Sequence, residues 1–125
     1  MAGFIHDDVF DNGLAYLTSN GGRLDICSAQ PTTYTEATST FTLGNKTSPT
    51  ISSPQNGVTN GRRVVVSAIT DGSVTGTNTA THYGITKTTA TTALLAAQAL
   101  SASQAVTSGN TFTLDAISIT IPDAV

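Results

Sequence analysis

The chain has 125 residues, no tryptophan, one methionine, one cysteine and few charges, and each shortage closes off a class of protein. With Cys27 as the single cysteine, an intrachain disulfide is impossible and the fold is not disulfide-stapled. Charged residues make up only 10%, and Lys plus Arg number 5. Arg23, Lys46, Arg62, Arg63 and Lys87 are dispersed, apart from the adjacent arginine pair. Nucleic-acid binding rests on several phosphate contacts from such side chains, so nucleic acid is not an expected partner. No segment approaches the roughly 18 consecutive apolar residues of a membrane helix, and a membrane is not an expected partner either. The opening MAGFIHDDVF lacks both the basic region and the apolar run of a signal peptide, which predicts synthesis in a reducing cytosol.

Hydroxyls are what the chain has in abundance. It contains 24 Thr and 12 Ser, so neutral hydroxyls must cover much of a surface that the charges are too few to cover. Thr is β-branched and fits a pleated, half-buried surface, which leans the chain towards strands. With 4 Phe, 3 Tyr and scattered Ile, Leu and Val, the core is expected to be thin. A thin core raises the share of stability that partners supply, and a homo-oligomer is expected. The length fits a single domain spanning 1–125.

Residues 1–20 read as an N-terminal arm and one short helix. Asp7 or Asp8 caps it, and Val9, Phe10, Leu14 and Leu17 recur on one side. Asn20-Gly21-Gly22 ends it. Arg23 to Ser28 alternates as a half-buried strand, with Leu24 and Ile26 on one face and Asp25 and Cys27 on the other. Past Pro31 the pattern gives a loop with a possible turn of helix around Thr35-Glu36-Ala37, then a short strand at Phe41 and Leu43.

Residues 44–61, with Pro49, Pro54, Gly57 and Gly61, predict a long loop, read either as a contact arm or as a surface insertion. Arg62 to Thr70 is the strongest strand, followed by a hairpin signal at Asp71-Gly72, a return strand at Ser73 to Thr77 and another at Thr79 to Thr86. ALLAAQAL at 93–100 has helix propensity but sits among strands, and is read as a strand. In Thr111 to Ile121 the apolar positions change phase between Leu114 and Ile117, which predicts a bulge or bend near Asp115-Ala116. Short strands with regularly spaced turns give a mainly β fold, expected as an antiparallel β-sandwich of jelly-roll or Ig-like type with one short N-terminal helix.

Chemistry is sparse. His6 and His82 are the only histidines, and nothing around Cys27 in LDICSAQ activates a thiol. His6, Asp7, Asp8 and Asp11 lack the spacing of a known cation loop and fit a helix start with acidic residues favoured by the dipole. Asp25, Glu36, Asp71 and Asp115 each have a turn, surface or strand-flank explanation, and no phosphate-binding glycine loop is present. No catalytic residue, metal site or cofactor is assigned, and an enzyme is not expected. Tyr16, Tyr34 and Tyr83 keep a carbohydrate-binding or adhesion module open, though without a tryptophan.

The stretches FIHDDVFDNGLAYL, LDICSAQPTTYTEATSTFTLG, GRRVVVSAITDGSVTGTNTATHYGIT and SGNTFTLDAISITIPDA together resemble small virion proteins of tailed bacteriophages. The likeness is one of texture and segment order, and is nearest to capsid decoration, or cement, proteins. It implies a β-sandwich on the outer capsid surface of the virion, made in the bacterial host cytoplasm. It further implies a homotrimer or other homo-oligomer that bridges subunits of the major capsid protein. A tail or head–tail junction component is the alternative within the same class. For the interface, placement singles out Phe4, Ile5, Val9 and Phe10 as an apolar arm, and Arg62 and Arg63 at the base of the long loop. The competing readings are an arm that covers one end of the sandwich and an ordinary solvated strand entry.

Overall fold

The computed structural model describes residues 6–122. The interface candidates Phe4 and Ile5 lie outside them. Helix α1 (Asp7–Asn20) is followed by strands β1 (Arg23–Cys27), β2 (Thr42–Thr47), β3 (Gln55–Asn56), β4 (Arg62–Val66), β5 (Ile69–Val74), β6 (Asn78–Lys87), β7 (Ala93–Val106), β8 (Thr111–Leu114) and β9 (Ile117–Ile121). A short π-helical turn, Glu36–Thr40, stands where a turn of helix was expected. One sheet has the order β7-β6-β1-β2-β5-β8 and the other β3-β4-β9. Every strand pairing is antiparallel, and the larger sheet curls into a half-barrel.

The helix forms as its pattern predicts, but its cap differs. His6, not Asp7 or Asp8, is the N-cap, and its Nδ1 accepts a hydrogen bond from the Asp8 amide at 3.0 Å. The two carboxylates occupy the first turn, where they favour the helix dipole. Phe10, Leu14 and Leu17 face inward, and the Gly21 amide closes the last turn on the Leu17 carbonyl at 2.8 Å.

Strand β1 runs through the centre of the larger sheet, between β6 and β2. It is buried on both faces from Leu24 to Cys27, where alternation had suggested one solvated face. The cause is the segment after it. Pro31 and Ala37 close over Gly84 on β6, together with Leu94 of β7, and a Cβ built on Gly84 would lie 3.2–3.3 Å from all three side chains. The Thr-rich loop is therefore a lid on the outer face of the sheet.

Segment 44–61 is more ordered than its composition suggests. Strand β2 continues through Gly44-Asn45 to Thr47, Ile51 bridges to Val66, and β3 pairs with β4. The glycines and prolines punctuate short pairings instead of opening one long arm.

Two corrections concern the strands that follow. Arg62 to Thr70 is not one strand: β4 belongs to the small sheet and β5 to the large one, with a corner at Ser67-Ala68. Asp71-Gly72 is not a hairpin turn but lies inside β5, where Gly72 is paired with Phe112. A Cβ there would come within 2.2–2.6 Å of the Phe112 ring, so the glycine is required by a close approach. The phase change at Asp115-Ala116 is the matching corner, since β8 pairs with β5 and β9 with β4. The two corners lie side by side and fold one long strand pair across both sheets, a recognised way of turning a β corner. Leu24, Ile26, Val64, Val66, Ile85 and Phe112 are fully buried in the core of this mainly β fold.

Candidate assembly interface

The ionisable residues are largely committed within the chain. Arg62, placed by sequence at a capsid-facing loop base, instead holds α1 to β4. Its Nε and Nη2 donate to the Asp11 carboxylate at 2.8 and 3.1 Å, and its Nη1 donates to Asn56 at 2.6 Å. Arg63 donates from Nη1 to the Ser118 hydroxyl at 2.8 Å. Lys46 pairs with Asp71 at 3.0 Å, and Lys87 lies 5.5 Å from the centre of the Tyr16 ring. All five basic side chains thus have intramolecular partners.

Arg23 and Asp25 form the most buried pair. Arg23 donates twice to the Asp25 carboxylate at 2.7 and 2.8 Å, and the Thr42 hydroxyl donates to it at 2.6 Å. Burial nevertheless raises the Asp25 pKa, with the Arg23 and Thr42 bonds offsetting only part of the rise. On the other side of the pair, the bond to Asp25 raises the Arg23 pKa. Both oxygens meet donors, so the unit is a satisfied structural clasp.

The register sets Cys27 opposite His82 on β6, a juxtaposition that sequence spacing had not revealed. The thiol is directed elsewhere, with Sγ 3.7 Å from the Ala37 carbonyl oxygen and 3.9 Å from that of Asp25. Burial pushes its pKa up to about 12, helped by the neighbouring Asp25 charge, which keeps it protonated at neutral pH. His82 Nδ1 instead meets the Thr81 hydroxyl at 2.8 Å. The described residues hold no group of three or more His, Cys, Asp or Glu arranged for a metal ion. No helix among them is long and apolar enough to cross a membrane.

Of the remaining interface candidates, Val9 is 64% exposed and faces outward, whereas Phe10 is 5% exposed and belongs to the core. Phe10 therefore cannot serve as a docking residue. Tyr83, one of the aromatics considered for sugar stacking, is buried with its hydroxyl 3.4 Å from Gln98 Oε1.

What the structure adds is strand β7. Its 14 residues, ALLAAQALSASQAV, contain no charge, no proline and no glycine. On β6 its register shifts twice, and between the Ala99 and Gln104 pairings β7 carries four residues where β6 has one. β7 is the outermost strand of the large sheet. The opposite edge, β8, curls round towards it, and Gln104 Nε2 reaches the Thr113 carbonyl oxygen at 2.7 Å. A cleft of about 460 Å³ lies in this seam, with Tyr83, Gln98 and Leu100 on one wall and Leu114, Asp115 and Ile117 on the other. Its lining offers hydrogen-bonding groups and apolar side chains around a single carboxylate.

Comparison with protein-family models, curated proteins and solved structures gave no match.

The seam and the free strand beside it are thus described by their own chemistry. Edge strands are templates for further pairing, and chains that avoid it place lysine, proline or inward charges there. Strand β7 has no charge and no proline, and the edge device it does carry is the bulge between Ala99 and Gln104.

Proposed function

We propose that this protein is a structural subunit of a bacteriophage virion that decorates the capsid and stabilises it by bridging neighbouring major capsid subunits. The observation that carries the reading is the contrast between basic side chains that all have partners within the chain and an uncharged 14-residue edge strand. A surface of that kind suits association through backbone and apolar contacts. The resemblance of four sequence stretches to small phage virion proteins supplies the particle. In this reading the two sheets are the faces of a sandwich folded over at the paired corners, and the protein acts on the outer capsid surface. The mechanism is physical: many copies, each making a modest contact, oppose internal pressure together by avidity.

The test uses expanded heads that lack the protein. Added protein is expected to bind them and to raise their resistance to heat and to chelation. Labelled protein that ignores DNA-filled heads and coats tail tubes would instead support the tail reading and remove this one. The ordering of residues 44–61 by β2, β3 and the Ile51 bridge weakens the tail alternative, which needs a long free arm to reach a neighbouring subunit.

A further inference from the structure

We infer that the outer edge of β7 is a self-pairing surface, on which a second copy of this chain lays its own β7 antiparallel across a two-fold axis. This deepens the assembly reading above by naming the surface and the partner, and it does not depend on the particle in which the assembly sits.

The backbone makes the first part of the case. Among the described residues, the hydrogen bonds of Ala93–Val106 to other backbone groups run to β6 alone. From Ala99 to Gln104 the strand bulges and borders the cleft to β8, so it is the outward-pointing N–H and C=O groups of residues 93–98 that are left for another partner. Such a row spans on the order of 20 Å.

Length and charge choose the occupant. The other outer edges are short: β3 has two residues, β8 four and β9 five. The β8 edge is also engaged by Gln104 at the Thr113 carbonyl. The open stretch of β7 is the longest of these edges, and a second copy presents the same stretch to it. In an isologous interface residue i meets residue j of the same strand and j meets i, so a strand without charges brings no like charges together in any register. From Thr88 to Leu114 the chain carries no Asp, Glu, Lys or Arg, although the whole chain has a net charge of −3. The uncharged stretch is thus where two copies can approach without like-charge repulsion. Small side chains assist, since Ala97 and Ala99 flank Gln98.

The experiment is the solution mass of the full chain by sedimentation velocity over a range of concentrations, with no heads present. The expected mass is about twice the 12.7 kDa of one chain. Ala99→Lys/Ser101→Lys places exposed lysines on the edge. It should raise the dissociation constant by about tenfold or more, as edge charges do when they meet their own kind. Thr111→Lys/Thr113→Lys on β8 should leave the dimer intact, and far-UV circular dichroism checks that each variant folds. A native protein that stays monomeric overturns the inference, as does a trimer mass or dissociation by the β8 lysines.

If the β7 lysines prevent folding, single cysteines at Ala97→Cys, Gln98→Cys and Ala99→Cys probe the same edge by cross-linking. Native Cys27 is buried, so a new thiol is the accessible one. At least one of the three should form a disulfide-linked dimer on mild oxidation, and failure at all three overturns the self-pairing. Because heads are absent, failure here leaves the capsid reading standing. A dimer that ignores heads removes only that reading.

Discussion

Gly72 and Phe112 show how one missing Cβ positions a core side chain. One side of the Phe112 ring occupies the space a Cβ on Gly72 would take, so Gly72→Ala must push the ring or the strand aside. Overpacking of this kind costs about 1–3 kcal/mol, and urea unfolding of Gly72→Ala should show a lowered midpoint with an unchanged slope. Asp25 carries a pH signature. Burial raises its folded pKa above the unfolded value, so on acidification the native state takes up this proton before the unfolded chain does. The contribution of Asp25 to stability therefore grows as pH falls from its raised folded value and is complete below about 3.9. The thermal midpoint of the native protein minus that of Asp25→Asn should rise over this window; a fall would mean that the Arg23 and Thr42 bonds outweigh burial. Cys27, with its thiol pushed up to about 12, should resist a thiol reagent at neutral pH and react once the chain is unfolded.

At the scale of elements, legibility followed local pattern. The helix was readable since Leu14 and Leu17 recur with its period, and the corner at Asp115-Ala116 since isoleucines change phase across it. The equivalent corner at Ser67-Ala68 was hidden. Val64, Val65 and Val66 place apolar side chains on both faces, so the change of phase before Ile69 leaves no mark. Asp71-Gly72 misled because the glycine answers a neighbouring ring and not a turn, and a non-local contact has no local signature. ALLAAQAL, read as a strand against its helix propensity, is the first half of β7, but its place at the sheet edge rests on non-local pairing with β6. The free edge it creates was therefore invisible in the sequence, while Arg62, which sequence placed in an interface, is held by a carboxylate 51 residues away. Arg62→Ala should loosen the docking of α1 on β4, read as faster amide exchange across α1 than in β1, while Leu14→Ala should cost the whole fold about 2–5 kcal/mol.

For the whole molecule, a pairing edge and a capsid contact would reinforce each other. A dimer presents two copies of any head-binding surface, so the second contact forms at the high effective concentration set by the first. A monomeric variant loses that advantage even when each of its own contacts is untouched. Ala99→Lys/Ser101→Lys, if folded and monomeric, should therefore still bind heads but leave them much faster on dilution than the native protein. Its thermal midpoint should also be independent of concentration, whereas that of the native protein should climb with concentration, since association stabilises by mass action. Equal retention of the two proteins on heads would show that each copy holds the capsid alone. The β7 edge would then serve the free protein and not the particle.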